Sequence, residues 1–144
     1  METYKNAARE EMLKAAIDGA GLARQGKSYI ANIEDSIMYK SWSLVILPKG
    51  EDILNKIFQV TKLYPQSKLI IKVHTRLRNK DNINSRLKAD KISEYFILNK
   101  GMEQTRIDFK GVGDQEPMDV GGKDKKVDRV EIIFLGAEYH DRQI

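Results

Sequence analysis

The chain has 144 residues, of which 41% are hydrophobic and 32% charged, and 25 basic against 21 acidic side chains leave a net charge of +4. This length suits one domain with a substantial core, and the composition is that of a soluble globular protein. No stretch approaches the roughly 18 to 20 apolar residues of a membrane helix, and the absence of Cys excludes disulfides and thiolate metal sites. The positive excess is spread along the chain, which favours weak attraction to anions over a dedicated nucleic-acid surface.

The first half of the chain alternates between helical and extended patterns. Alanine and Met recur at three- and four-residue steps over residues 4–25, which predicts an N-terminal helix. Residues 36–41 alternate as the first core strand, while 28–33 could add an edge strand. A helix with a broad apolar stripe follows over about 50–63 and ends before Pro65, because the residue before proline avoids the helical region.

The second half repeats this alternation. A strand over 68–74, rich in Leu, Ile and Val, precedes a helix over 83–99 that stops at Gly101. Strands over 105–110 and 127–135 flank a polar, glycine-rich loop. The order strand–helix–strand–helix–strand–strand predicts an α+β two-layer sandwich, in which right-handed crossovers place both long helices on one face of a mixed sheet. The side chains expected to face the core from the second long helix are Leu87, Ile92, Tyr95 and Phe96.

Catalytic constellations are absent from the sequence. Two histidines cannot form a three-His zinc site, and no Ser lies in a Gly-x-Ser-x-Gly turn. The acidic pairs Glu10–Glu11 and Glu51–Asp52 are explained by solvated helix faces or by caps of the helix dipole. Glycines at 111–113 and 121–122 lack the spacing of phosphate-binding motifs. The sequence therefore predicts no catalytic residue, no metal and no cofactor.

A basic cluster at the junction between residues 74 and 91 is the candidate for nucleic-acid binding. Its members are Arg76, Arg78, Lys80, Arg86, Lys88 and Lys91. Such a patch could contact phosphates, but it has no interleaved aromatics for base stacking, and Asp81 and Asp90 dilute it. A solvated, mildly basic rim is the better interpretation, with no nucleic-acid partner.

The same junction carries a family resemblance. The strand Leu69-Ile-Ile-Lys-Val-His-Thr-Arg76 leads to a helix opening Asn84-Ser-Arg-Leu87-Lys-Ala-Asp-Lys91-Ile92, and Gly101 follows. Ile107-x-x-x-Gly111-x-Gly113 and Val127-Asp-Arg-Val-Glu-Ile132 complete the series. In this order, and over residues 36–135, these motifs resemble OmpA-like domains, the modules that tether bacterial outer membranes and flagellar motors to peptidoglycan. The resemblance implies the OmpA-like βαβαββ fold.

The resemblance also points to a ligand site whose two charged positions differ here. In the family, an Asp that ends the strand in Gly-His-Thr-Asp and an Arg in the following helix hold the diaminopimelate of the peptidoglycan stem. The matching residues here are Arg76 and Lys91. Lys91 keeps the charge but lacks the planar fork for a bidentate carboxylate contact. Arg76 reverses the sign and would repel the ammonium of the ligand. We therefore expect weakened or lost binding of the usual ligand.

Five further residues are possible supporting members of that site. His74 and Thr75 match the wall of the family site, and a structural hydrogen-bonding role is favoured for His74. Asn84 could either cap the helix or donate to a ligand. Where the family has Asn-Arg-Arg before its last strand, this chain has Val127, Asp128 and Arg129. Asp128 could form an exchanged ion pair with Arg76 that closes the pocket.

These observations predict an N-terminal helix and lead-in over 1–35, an OmpA-like domain over 36–135 and a tail over 136–144. The function expected is that of a non-enzymatic bacterial envelope module with a structural or interaction role, whose partners are other envelope proteins. Two alternatives remain: a working peptidoglycan tether with altered stem-peptide recognition, or an unrelated α/β enzyme or nucleic-acid binder. Residues 1–30 show no signal peptide, so a periplasmic or outer-membrane-associated protein would make this chain a trimmed fragment, with membrane contact only through other regions.

Overall fold

A five-stranded mixed sheet forms the centre of the fold. The computed structural model describes residues 11, 14, 15, 18–75, 83–113, 118–120, 123–125 and 128–135. The strands are β1 (Ala23–Gln25), β2 (Ser28–Glu34), β3 (Leu69–His74), β4 (Ile107–Gly113), β5 (Met118–Val120), β6 (Lys123–Lys125) and β7 (Arg129–Leu135). In the sheet order β1-β2-β7-β3-β4, only β3 and β4 run parallel, while β5 and β6 form a separate antiparallel hairpin.

Two long helices cover one face of this sheet. The helices are α1 (Asp35–Met38), α2 (Pro48–Leu63) and α3 (Ile83–Glu94), and α3 continues as a π-helical turn over Tyr95–Asn99. One hydrophobic cluster joins α2 and α3 to β3 and β7, and its fully buried members include Leu54, Ile57, Val60, Leu69, Ile71, Ala89, Ile92, Phe96, Ile132 and Phe134. A hydrogen bond of 2.7 Å from the Tyr95 hydroxyl to Asn55 Oδ1 links the two helices. The predicted α+β two-layer architecture is confirmed.

The two long helices begin and end where local chemistry favours it. Pro48 occupies the start of α2, where its missing N–H costs no helical hydrogen bond, and Glu51 lies in the positively polarised first turn. The π-helical turn that continues α3 is followed by Gly101 at φ +70°, whose N–H donates to Ile97 O at 3.2 Å. Glycine adopts this left-handed conformation without the steric cost of a Cβ, so the predicted stop is confirmed.

The sequence prediction was wrong about the first strand. Residues 35–38 form the short helix α1, in which Tyr39 N–H donates to Asp35 O at 2.8 Å. The place beside β7 belongs instead to β2, which was expected only as an edge strand. The buried Ala31 and Ile33 alternate with the exposed Asn32 and Glu34, which is the period-two pattern of a half-buried strand. The sheet thus takes strands from both sides of the domain boundary predicted at residue 36.

Two other predictions near glycines were also wrong in part. The N-terminal helix does not reach residue 25, because the described helical positions end at Gly19 and Ala23–Gln25 forms β1. The stretch after Lys110 is not all loop, since β4 extends to Gly113 and the β5–β6 hairpin follows. The two errors are opposite in kind. The helix prediction ran through Gly21, whose φ of +71° is incompatible with a helix, whereas the loop prediction took Gly111 as a break although β4 continues through it.

Candidate functional site

The junction between β3 and α3 is the region that the family motifs single out. β3 ends at His74, and the buried Thr75 continues the pairing by donating its N–H to Gly113 O at 2.9 Å. Arg76 lies outside the described residues, and so does the exchanged ion pair predicted between Arg76 and Asp128. Asp128 itself is half-buried just before β7, where its carbonyl accepts a hydrogen bond from Asp35 N at 3.2 Å.

His74 is a buried side chain on the face of the sheet opposite the two helices. It is only 2% exposed, and its Nε2 lies 3.0 Å from Glu131 Oε1 on β7. This hydrogen bond is the first cause of a lowered pKa for the Glu131 carboxyl, and the charges of His74, Lys72 and Arg129 add to it while burial opposes it. The second ring nitrogen, Nδ1, is buried, and no group among the described residues makes a hydrogen bond to it. The imidazole is therefore held within the sheet.

Arg129 lies on the same sheet face as Glu131, because alternate residues of a strand share a face. Its Nε donates to Asn32 Oδ1 of β2 at 3.3 Å, and the residue is only 9% exposed. The family position that stays basic in this chain is thus occupied by a largely buried guanidinium. This polar face holds β2, β7 and β3 together through side chains as well as through their backbone ladders.

Lys91 lies on the other side of the molecule, in the last turn of α3. Its ammonium is 3.7 Å from Glu94 Oε2, three residues further along the helix, and both side chains are nearly half exposed. Asn84 is in the first turn of the same helix and is exposed. Lys91 also lines a groove with two carboxylates, Glu51 from α2 and Glu94 from α3.

This groove, called here the α3 groove, adjoins Lys91, one of the two positions that the family resemblance singles out. It has a volume of about 440 Å³ and is lined by Leu44, Val45, Ile46, Glu51, Lys91, Glu94, Tyr95 and Asn99. That volume falls within the range of small-molecule sites. The Tyr95 hydroxyl donates to Asn55, and burial, followed by the negative charge of Glu51, raises the pKa of Tyr95. The groove therefore combines one cation, two anions and an apolar wall.

The apolar wall of the α3 groove belongs to a hairpin between α1 and α2. Tyr39 and Ile46 form an antiparallel bridge, and Lys40 N–H donates to Val45 O at 2.9 Å. Within the loop, Val45 N–H donates to the hydroxyl of Ser43 at 2.8 Å. The tip carries Trp42, which is fully exposed and has φ +59°. The chain thus presents its single tryptophan at the end of a hydrogen-bonded hairpin beside the groove.

Two predictions for side chains of α3 were wrong. Leu87, expected in the core, is 42% exposed. Lys88, expected on a solvated basic rim, points inward instead: its Nζ is 2.6 Å from Asp35 Oδ1 and 5.1 Å from the centre of the Tyr39 ring. The helix is rotated so that Ser85, Ala89 and Ile92 face the core, a phase that the weakly amphipathic sequence of α3 did not specify.

Sequence reasoning did not identify the carboxylates that accompany Lys91. Glu94 could have been found, because residues three apart on a helix are neighbours. Glu51 could not, since it comes from a different helix and was interpreted as a dipole cap. Among the residues that the structure describes, no three His, Asp or Glu side chains are grouped to hold a metal ion. In the same part of the chain, no helix combines the length and apolar character needed to cross a membrane.

The fold is shared with domains of the bacterial envelope. The chain superposes on a MotB-like protein of Desulfovibrio vulgaris with a TM-score of 0.69 and 17% identity, covering 95% of this chain and 96% of that one. The cell wall anchor of the T6SS from Pseudomonas aeruginosa gives a TM-score of 0.66 and 16% identity, covering 87% and 94%. The OmpA-like domain of FopA1 from Francisella tularensis gives 0.57 and 17%, covering 78% and 76%. The chain therefore has the OmpA-like fold, which confirms the resemblance seen in the sequence.

One curated protein is similar to this chain in sequence. The "Probable lipoprotein YiaD" of Escherichia coli (strain K12) is 26% identical over 115 residues, which cover 76% of this chain and 52% of that protein. The chain thus spans about half the length of this relative. No protein-family model matches the sequence.

Proposed function

We propose that this chain is a non-enzymatic module of the bacterial cell envelope, of the OmpA-like type, whose grip on diaminopimelate is weakened or lost. The main support is the state of Lys91, the residue at the family's arginine position. Its single ammonium is shared with Glu94 at 3.7 Å, whereas a guanidinium could hold a carboxylate through two parallel hydrogen bonds. The module then acts through its surface, as a structural or interaction domain facing other envelope proteins in the periplasm or at the outer membrane.

The α3 groove favours a second candidate, a peptidoglycan tether with altered stem recognition. Glu51 and Glu94 supply negative charge beside the positive charge of Lys91. A zwitterion with a free ammonium and a free carboxylate could contact both signs there. This arrangement differs from the family clamp because both acids come from helices and neither comes from the end of β3.

Sedimentation with purified peptidoglycan separates the two candidates. If the proposed function is correct, free diaminopimelate should not change the fraction of the protein that sediments with peptidoglycan. The double variant Arg76→Asp/Lys91→Arg should gain a component that diaminopimelate competes away, because it restores the acid and the planar base. About tenfold tighter binding would correspond to one good charged contact.

Lys56→Arg is the matched control, because Lys56 is an exposed helical lysine that pairs with Asp52 at 3.1 Å and does not line the groove. It should leave pelleting unchanged. Competition by diaminopimelate in the unaltered protein, abolished by Glu51→Gln/Glu94→Gln, would instead establish the altered tether.

A further inference from the structure

Trp42 is the most unusual residue on the described surface. Its side chain is 100% exposed, although burying a large aromatic ring lowers the free energy of the folded state. Its backbone is in the left-handed region at φ +59°, where a non-glycine residue costs on the order of 1 kcal/mol. Neither property contributes to folding. A residue that is unfavourable in both respects is a candidate for binding.

The backbone around Trp42 holds the ring in a defined place. Ser43 N–H donates to Lys40 O at 3.1 Å, and Leu47 N–H donates to Met38 O at 2.8 Å on the far side of the Tyr39–Ile46 bridge. The base of the hairpin is anchored because Met38 and Tyr39 are buried in the core. A platform ordered in advance loses little conformational entropy when a ligand stacks on it.

The immediate neighbours of Trp42 favour a neutral, hydroxyl-rich ligand. Ser41 and Ser43 are the chain neighbours of Trp42, and the Ser43 hydroxyl, which accepts a hydrogen bond from Val45 N–H at 2.8 Å, can still donate one. Around the hairpin and the start of α2, the cations Lys40, Lys49 and Lys56 accompany the anions Glu51 and Asp52, and Lys56 pairs with Asp52 at 3.1 Å. Three cations against two anions leave a net charge of only about +1, which is too small for strong electrostatic attraction to an anionic lipid surface or to nucleic acid.

We propose that Trp42 is a stacking platform for a sugar ring of the peptidoglycan glycan strand. The C–H bonds on one face of a pyranose make an apolar surface that packs flat against an indole, while the ring hydroxyls around its edge can reach Ser41 and Ser43. The platform adjoins the α3 groove, because Leu44 and Val45 of the same hairpin line that groove. The inference rests on the proposed placement in the bacterial cell envelope, but not on the diaminopimelate contact.

The single tryptophan makes the test direct, since indole fluorescence reports on Trp42 alone. Titration with an N-acetylglucosamine oligosaccharide, and with glycan strands freed of peptides by an amidase, should shift the emission to shorter wavelength in a saturable way. Free diaminopimelate should not. Vesicles of phosphatidylethanolamine and phosphatidylglycerol form the third arm. A shift with vesicles and none with glycan would overturn the proposal in favour of a membrane contact.

Variants separate stacking from folding. Trp42→Ala should lower affinity for the glycan strands, measured by calorimetry, about tenfold, while Trp42→Phe should retain most of it. Trp42→Gly should lose binding yet unfold at the same or a higher urea concentration, because glycine relieves the left-handed strain. Leu98→Ala is the control, since it removes another exposed apolar side chain, 72% exposed, from outside the hairpin.

Two results distinguish this inference from the proposed function. Unchanged glycan affinity in Trp42→Ala would refute the stacking platform and leave the proposed envelope role standing. Glycan binding lost in Trp42→Ala, together with pelleting that diaminopimelate competes away in the unaltered protein, would support the platform and refute the weakened clamp.

Discussion

At the scale of single residues, the contact between His74 and Glu131 links β3 to β7 through side chains. The two side chains come from neighbouring strands, with Nε2 and Oε1 3.0 Å apart, and both lie on the sheet face opposite the helices. Lys72 and Arg129 add positive charge around the carboxylate. A buried polar cluster of this kind stabilises the fold when its hydrogen bonds are made. Removing one partner destabilises the fold, because the remaining buried polar group is then unsatisfied.

This contact predicts how stability depends on pH. The pKa of Glu131 is lowered from its ordinary value of 4.5, so the folded state binds this proton less readily than the unfolded state does. The stabilisation is therefore present above pH 4.5 and is lost as the pH falls through the folded-state pKa. Glu131→Gln should lower the free energy of unfolding by about 1–2 kcal/mol at neutral pH and by progressively less as the pH falls below 4.5.

Urea unfolding at a series of pH values measures the difference. Asp90→Asn, which neutralises an exposed carboxylate on α3, should show no such convergence. If the Glu131→Gln deficit persisted unchanged in acid, the stabilisation would not come from the ionised carboxylate.

At the scale of elements, Arg106 connects the end of α2 to the start of β4. The guanidinium lies in the 3₁₀ turn Gln104–Arg106 and donates to three backbone carbonyls, those of Thr61, Tyr64 and Ser67, at 3.1–3.2 Å. Thr61 O also accepts a hydrogen bond from Tyr64 N–H at 3.2 Å, and Tyr64 O accepts one from Ser67 N–H at 3.0 Å, so the guanidinium adds a charged donor to the turn that ends α2. A long-range side chain thus completes the helix terminus.

Replacing Arg106 tests this cap. Arg106→Ala should cost about 2–3 kcal/mol of unfolding free energy, because three partly buried carbonyls lose a charged donor. Arg106→Lys should recover only part of the loss, since one ammonium cannot match the planar fork. Chemical denaturation of both variants, beside the exposed control Lys27→Ala, provides the measurement. Full recovery by lysine would show that charge alone matters.

At the scale of the whole molecule, the helix layer lies very close to the sheet at Gly111. A Cβ built on Gly111 would overlap the backbone of Arg86 and the side chain of Ser85, so β4 and the first turns of α3 are in direct backbone contact. Gly113 N–H also donates to the Ser85 hydroxyl at 3.3 Å. The spacing between the helix layer and the sheet at this point is therefore set by the absence of a Cβ at Gly111.

Gly111→Ala should push α3 away from β4. We expect the midpoint of thermal unfolding to fall by about 3–10 °C, as for an overpacked core. Gly19→Ala makes the same substitution at a helical position where no atom of the described residues lies within 4 Å of the new Cβ, and it should be neutral or slightly stabilising. Equal midpoints for the two variants would show that the layers can separate without cost.

The sequence by itself determined the features that depend on neighbours along the chain. Apolar periodicity placed the start of α2 within two residues of the observed start, and Pro65 indicated its end. Gly101 indicated where α3 and its π-helical turn end. The ordered motifs around His74 and Asn84 were enough to indicate the OmpA-like fold. Each of these signals acts over a few residues, so it can be interpreted without knowing what packs against it.

Only the tertiary structure decided which side of each element faces inward and which residues meet. The inward turn of Lys88 depends on Asp35, and the α3 groove depends on Glu51 meeting Lys91 across two helices. The place of β2 beside β7 depends on a partner about a hundred residues away in sequence, Arg129 opposite Glu34. Such contacts are set by the packing of distant segments, and a local pattern carries no information about its distant partners.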